Sequence, residues 1–122
     1  MKFSRWLFRI AGIYGLVLLA PHYFMEAQIG EHHPPAITHP EFFYGFLGIG
    51  IAWQIAFLII AQDPVRFRAM IIPSVLEKFS FGIAVIVLFC EKRMPDMMLA
   101  AGIVDLMWGA LFVVAWWRLA AG

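Results

Sequence analysis

The chain has 122 residues, of which 63% are hydrophobic and 14% are charged, against about 25% charged residues in soluble domains. This composition excludes an ordinary soluble domain and predicts one domain whose surface faces lipid. The net charge is +1, and no run of basic residues is interleaved with aromatic residues. The charge pattern therefore argues against a nucleic-acid partner.

Four apolar segments are long enough to cross a bilayer, which takes about 20 helical residues. They cover residues 6–24, 42–61, 67–90 and 97–117. We therefore predict an all-α protein, a four-transmembrane-helix bundle with antiparallel, up-down connections. The first segment is expected to be a retained span and not a cleaved secretory signal, since no clean small-residue cleavage pattern follows it.

The connections hold most of the turn signals. Residues 25–41 are rich in His and Pro, and Pro34, Pro35 and Pro40 predict a non-helical outer loop there. Asp63-Pro64 is a helix-start pair, which predicts a tight hairpin between the second and third spans. Pro73 predicts a bend within the third span.

The distribution of Lys and Arg predicts the orientation, because short cytoplasmic loops collect these residues. The outer loop has none, whereas both ends of the chain and the second connection are basic. We therefore expect both termini to be cytoplasmic, with a bacterial inner membrane as the default location. The basic residues in question are Lys2, Arg5, Arg9, Arg66, Arg68 and Arg118.

Small residues recur at helical spacing on two spans. On the second span, Gly48, Ala52 and Ala56 follow Gly45, a stripe that predicts close approach of another helix. On the fourth span, Asp105 lies four residues from both Ala101 and Gly109, which predicts that its carboxylate points into a helix contact.

Polar side chains lie in or at the ends of the apolar spans, where a charged group costs about 2.5–3.5 kcal/mol to insert. Such groups usually pair with one another or face a cavity. One interpretation is a satisfied network in which Lys78 neutralises Glu77 or Asp105. The other is a semi-polar pocket with apolar walls from residues such as Phe81 and Trp108. The candidate ligand-binding residues are Tyr14, Glu26, Trp53, Gln54, Glu77, Lys78 and Asp105.

A metal site is a weaker hypothesis. His22 and Glu26 are four residues apart, a spacing that suits two ligands on one helical face, and His32, His33 and His39 follow. The same residues equally fit a structural or pH-responsive loop. No nucleophile–base pair or nucleotide motif is present, so an enzyme is the less favoured class and no cofactor is predicted.

Several runs together resemble the EXPERA-type family, which comprises the emopamil-binding sterol isomerases and the sigma-receptor-like sterol- and cation-binding proteins. The runs are Phe24-Met25-Glu26, Pro-Glu-Phe-Phe at 40–43, Trp-Gln-Ile-Ala-Phe at 53–57 and Ile-Ile-Pro-Ser-Val at 71–75. The resemblance implies an intramembrane pocket with an acid ending the first span, which Glu26 matches. The family's second acid falls near Gly50 here, so Glu77 or Asp105 would have to supply that charge.

These observations favour a polar intramembrane pocket that binds an amphipathic small molecule, such as a lipid or isoprenoid. A carboxylate from Glu26, Glu77 or Asp105 would orient the polar group of the ligand. The first alternative is a non-catalytic accessory subunit of a larger membrane complex. The second alternative is a proton-coupled carrier, which the absence of an evident inverted repeat disfavours.

Overall fold

The computed structural model describes residues 2–32, 38–93 and 97–121, and within these ranges the chain is helical and has no strand. Four helices are long and apolar enough to cross a membrane. Each candidate span has 23 residues, which corresponds to about 35 Å at the helical rise and exceeds the apolar thickness of a bilayer. The helices are α1 (Lys2–Leu19), α2 (Glu26–His32), α3 (Pro40–Gln62), α4 (Ile71–Cys90) and α5 (Met97–Ala121).

The first connection is more helical than its proline content predicts. A 3-10 helix, Ala20–Phe24, extends α1, and the short α2 follows within the segment predicted as a loop. Pro40 does not lie in the loop but begins α3, because the first position of a helix needs no backbone donor. Pro34 and Pro35 lie outside the described residues.

The second connection differs from the prediction in its details. Asp63 accepts a hydrogen bond from the Arg66 backbone N–H at 3.2 Å, so its carboxylate caps a turn and the predicted helix start is wrong. A 3-10 helix, Arg68–Met70, leads into α4 at Ile71. Pro73 consequently lies in the first turn of α4, where a missing donor does not require the predicted bend.

Two pairs of helices form the main contacts of the bundle: α1 with α3, and α4 with α5. Glycines allow the helices of both pairs to approach each other closely. A side chain at Gly12 would meet the backbone carbonyl of Gln54, and one at Gly82 would meet the backbone carbonyl of Gly102. The stripe predicted on α3 brings no helix backbone close in this way. In the part of the chain that the structure describes, nothing lies within 4 Å of a Cβ placed at Gly45, a Cβ at Gly48 would meet the Tyr23 hydroxyl, and Ala52 is exposed.

The core lies where α1, α3 and α5 meet. Phe8 stacks on Phe112 with ring centroids 4.4 Å apart, and Phe57 packs edge-on against Phe112 at 5.0 Å. These three rings are fully buried. They centre an apolar cluster that includes Leu7, Ala11, Ile60, Ala61, Ile71, Trp108 and Ala115.

Large apolar side chains also cover the outside of the bundle. Val17, Ile49, Leu76 and Ile83 each expose more than half of their surface. A soluble monomer rarely presents so much contiguous apolar area. The outer surface is therefore compatible with an integral membrane protein whose long helices contact lipid.

Candidate functional site

Three charged side chains meet inside the bundle. The ammonium of Lys78 on α4 lies 3.7 Å from Oδ1 of Asp105 on α5 and 3.8 Å from Oε2 of Glu77. The Lys78 side chain is only 5% exposed, whereas Glu77 and Asp105 are 21% and 19% exposed. Two carboxylates thus share one buried cation, which lowers the cost of holding all three in a medium of low dielectric constant.

The ammonium also faces an aromatic ring. Lys78 Nζ lies 5.1 Å from the ring centroid of Phe57, within the range of a cation–π contact. Phe57 belongs to the central aromatic cluster, so Lys78 connects the charged residues to the core of the bundle. This position is inconsistent with a lysine that extends along the helix toward the membrane surface.

The Glu77 carboxylate has a buried oxygen that accepts no hydrogen bond from the described residues. Its Oε2 atom is buried and has no hydrogen-bond partner among the described residues, because 3.8 Å to Lys78 is an ion-pair distance and not a hydrogen bond. A buried acceptor without a donor costs about 1–3 kcal/mol. Unsatisfied groups of this kind are uncommon in folded proteins.

A cleft lies beside Glu77, where α3 and α4 touch only slightly. It has a volume of about 290 Å³ and opens to the outside of the bundle. Its lining is apolar except for Glu77 and Ser80, and the Ser80 hydroxyl is already donated to the Glu77 backbone carbonyl at 3.1 Å. The lining residues are Phe46, Ile49, Gly50, Glu77, Ser80 and Phe81.

Gln54 lies one helical turn from this cleft but faces α1. Its Nε2 donates to the Gly50 carbonyl at 2.9 Å, and its Oε1 is buried without a hydrogen-bond partner in the described ranges. The amide packs against Gly15, where any side chain would overlap it. Gln54 therefore belongs to the α1–α3 contact, and no described contact joins it to Lys78.

The aromatic candidates, exposed Tyr14 and half-buried Trp53, pack against buried aromatic residues of the core. Tyr14 packs on Trp108 with centroids 5.9 Å apart, and half-buried Trp53 packs on Phe57 at 6.3 Å. Of the residues predicted to form apolar walls, only Phe81 lines the α3–α4 cleft, where it stacks on Phe46 at 5.9 Å.

Glu26 has a separate environment near the start of α3. Its Oε1 accepts a hydrogen bond from the Tyr44 hydroxyl at 2.9 Å, and Tyr44 stacks on Tyr23 with centroids 5.8 Å apart. No described contact joins Glu26 to the charged residues around Lys78. Of the seven predicted ligand-binding residues, the structure brings three together: Glu77, Lys78 and Asp105.

The histidines predicted as weak metal candidates have other partners where their side chains are described. His22 Nδ1 donates to the Leu18 carbonyl at 2.8 Å, and His39 Nδ1 lies 3.0 Å from Oε1 of Glu41. His22 and Glu26 do not share one helical face, because Met25 separates the 3-10 helix from α2. The described part of the chain contains no group of three His, Cys, Asp or Glu side chains able to hold a metal. His33 and the side chain of His32 lie outside it.

Sequence reasoning missed four residues of the cleft, namely Phe46, Ile49, Gly50 and Ser80. Ser80 lies three residues after Glu77, and Ile49 three residues after Phe46, so helical spacing could have placed each pair on one face. Nothing in the sequence indicated that these two faces would meet around an open space.

No protein-family model, curated protein or solved structure matches this chain. The EXPERA-type resemblance thus stays a prediction that rests on the sequence runs alone.

Proposed function

We propose that this is a small integral membrane protein whose α3–α4 cleft binds an amphipathic small molecule or lipid. The observation that carries the proposal is the cleft itself, an apolar opening of about 290 Å³ with Glu77 in its wall. Pockets for small molecules are mostly apolar with a few polar groups that set orientation, and this lining has that composition.

Glu77 defines the chemistry of the ligand. Its carboxylate is part of the cleft wall and the side chain is 21% exposed, whereas the nearby Ser80 hydroxyl is already used within α4. A ligand with an ammonium or hydroxyl group donates to this carboxylate, while its apolar tail contacts Phe46 and Phe81. The proposed ligand class is therefore a cationic or hydroxyl-bearing amphiphile, in agreement with the implication of the EXPERA-type resemblance.

The proposed arrangement is an antiparallel, up-down bundle with both termini on the cytoplasmic side. Two contacts support it: Arg68, just before α4, hydrogen-bonds the Trp116 carbonyl near the end of α5, and Gly82 in the middle of α4 packs on Gly102 nearer the start of α5. The guanidinium of Arg118 lies 4.6 Å from the ring centroid of Phe3, which supports both termini lying at one basic end. A bacterial inner membrane remains the proposed location.

Binding of matched eight-carbon probes tests the proposal. Octylamine, octanol and octanoate are added to the protein in nanodiscs, and binding is followed by native mass spectrometry. We expect octylamine and octanol to bind more tightly than octanoate, because only the first two supply a donor to Glu77. The Glu77→Gln variant should weaken octylamine binding about tenfold or more, because the amide loses the negative charge.

Glu91→Gln is the matched control, since this exposed glutamate follows α4 and pairs with Arg93. It should leave octylamine binding unchanged. Equal affinity of the wild type and Glu77→Gln for octylamine would exclude Glu77 as the ligand-orienting group.

An accessory subunit of a larger complex is the second candidate, favoured by the unpartnered face of α3. Among the described residues nothing lies within 4 Å of a Cβ placed at Gly45, and Phe42 beside it is 70% exposed. A subunit should co-purify with stoichiometric protein partners from native membranes, whereas a ligand-binding protein should be recovered with extracted lipid and no such partner.

A further inference from the structure

A second opening lies on the other side of α4, between α4 and α5. It has a volume of about 250 Å³, and its walls are almost entirely apolar. Ile72 and Leu76, which line it, are 52% and 65% exposed, so the groove is accessible from outside the bundle. Its lining residues are Ile71, Ile72, Val75, Leu76, Val113 and Trp116.

Arg68 lies at one end of this groove, where it contacts the lining residue Trp116. The Arg68 Nε and Nη2 groups donate to the Trp116 carbonyl at 3.2 and 3.1 Å, and the guanidinium carbon lies 3.5 Å from the Trp116 ring centroid. A guanidinium has five N–H donors, so three remain after these two hydrogen bonds. Within the described residues, no carboxylate lies at ion-pair distance from Arg68.

The groove opens at the basic end of the bundle. Arg66 is exposed two residues before Arg68, and Arg118 is exposed two residues after Trp116. The Arg118–Phe3 contact brings the start of α1, with Lys2 and Arg5 on either side of Phe3, to the same end. Among the described residues, the acidic Asp63 lies three positions before Arg66, and its Oδ1 atom already accepts a hydrogen bond from the Arg66 backbone N–H.

We propose that the α4–α5 groove is a binding site for an anionic phospholipid. The phosphate accepts hydrogen bonds from the free donors of Arg68, with Arg66 and Arg118 adding positive charge, and one acyl chain lies along the groove. Arginine suits this role because its planar donors match phosphate oxygens. This site is independent of the amphiphile cleft on the α3 side of α4.

Charge complementarity identifies the occupant. Several basic side chains lie near one end of a groove whose lining side chains are otherwise apolar, so the ligand must combine an anionic head with an apolar tail. The lining from Ile71 to Leu76 extends about 7.5 Å along α4, which accommodates part of an acyl chain. A free phosphate ion would leave this apolar wall unused.

Native mass spectrometry with defined lipids tests the site. The protein in detergent micelles is mixed with phosphatidylglycerol or with phosphatidylcholine carrying the same acyl chains. We expect one phosphatidylglycerol to be retained at least tenfold more strongly than phosphatidylcholine. Arg66→Gln and Arg118→Gln should each weaken retention about fivefold, the effect of one basic residue at a lipid surface.

Two further variants separate a built site from general attraction between charges. Val113→Phe fills the groove without changing any charge and should lower phosphatidylglycerol retention about tenfold. Arg93→Gln, the matched control in the exposed turn after α4, should leave it unchanged. Circular dichroism and thermal unfolding confirm that each variant remains folded.

Equal retention of the two lipids, or full retention by folded Val113→Phe, would overturn the lipid site. Displacement of the lipid by inorganic phosphate at equal concentration would instead identify a free-anion site and equally refute the proposal. Glu77→Gln should leave phosphatidylglycerol retention unchanged, so failure of the amphiphile cleft and failure of this site are distinguishable.

Discussion

The two sides of α4 differ in how closely they approach the neighbouring helix. Toward α5, Gly82 and Gly102 allow the backbones to come together, and Phe79 packs on Gly109. Toward α3, the bulky Phe46 and Phe81 rings stack on each other and a cleft remains. The comparison teaches that helices approach closely where a glycine faces the neighbouring helix, whereas facing bulky side chains leave a cleft between them.

The two openings beside α4 also differ in charge. The α3–α4 cleft has a carboxylate in its wall, whereas the α4–α5 groove is apolar and has arginine at its mouth. One helix therefore borders a site suited to a donor or cation and a site suited to an anion. Lys78 lies between the two sides, since it reaches both Glu77 and Asp105.

The largest expected effect is that of Lys78→Met. It leaves two buried carboxylates without their shared cation, and breaking a buried ion pair by removing one partner costs about 3–5 kcal/mol. The free energy of unfolding, measured in micelles by tryptophan fluorescence during a denaturant titration, should fall by this amount. Lys92→Met, the same substitution at an exposed position, is the control. A fall below about 1 kcal/mol would show that the three charges are not energetically coupled.

Gly82→Leu tests the closed side of α4. The new side chain would collide with Leu106 and the Gly102 carbonyl, and overpacking of this kind costs about 1–3 kcal/mol. The same unfolding measurement should show this loss, together with weaker α4–α5 contact in disulfide cross-linking. Unchanged stability would mean that the two helices do not need the close approach.

Ser80→Leu tests the side of α4 that faces the α3–α4 cleft. It introduces the same side chain as Gly82→Leu, two residues earlier in the helix. Because Ser80 lines the cleft and is exposed, the free energy of unfolding should change by less than about 0.5 kcal/mol. Octylamine binding should fall about tenfold, since leucine occupies ligand space. If binding persists at full strength, the ligand does not lie between Phe46 and Phe81.

Gly45→Ala should have a smaller effect than the losses above, and one of the opposite sign. No described residue lies within 4 Å of the added methyl group, so helix propensity should stabilise α3 by about 0.5–1 kcal/mol. A slight rise in the unfolding midpoint is the expected result. A clear loss of stability would reveal a contact on this face, and loss of a co-purifying protein would support the accessory-subunit alternative.

The sequence predicted the coarse architecture well. Its four apolar segments correspond to the four long helices, and the prediction of a helical bundle is confirmed at that level. The reason is that length and hydrophobicity are local properties, and a chain in lipid must satisfy its backbone hydrogen bonds within each helix.

The candidate site was only partly predictable. Glu77 and Lys78 are adjacent in sequence, which allows their charged groups to meet but does not require it. The spacing around Asp105 correctly placed it in a helix contact. The small residues at 45, 48 and 52 were misleading, because small side chains permit close packing but do not select which helix comes near. The glycines that do contact a neighbouring helix, such as Gly15 and Gly82, could not be distinguished from these residues by their spacing in the sequence.

By itself, the sequence determined that this chain forms long apolar helices with ionisable groups inside them and basic residues at particular ends. Only the tertiary structure decided that Lys78 would face Asp105 and Phe57, that Gln54 would pack on α1, and that openings would remain on both sides of α4. The physical reason is that the rotation of each helix about its own axis is set by side-chain packing across the whole bundle. No single segment contains that information.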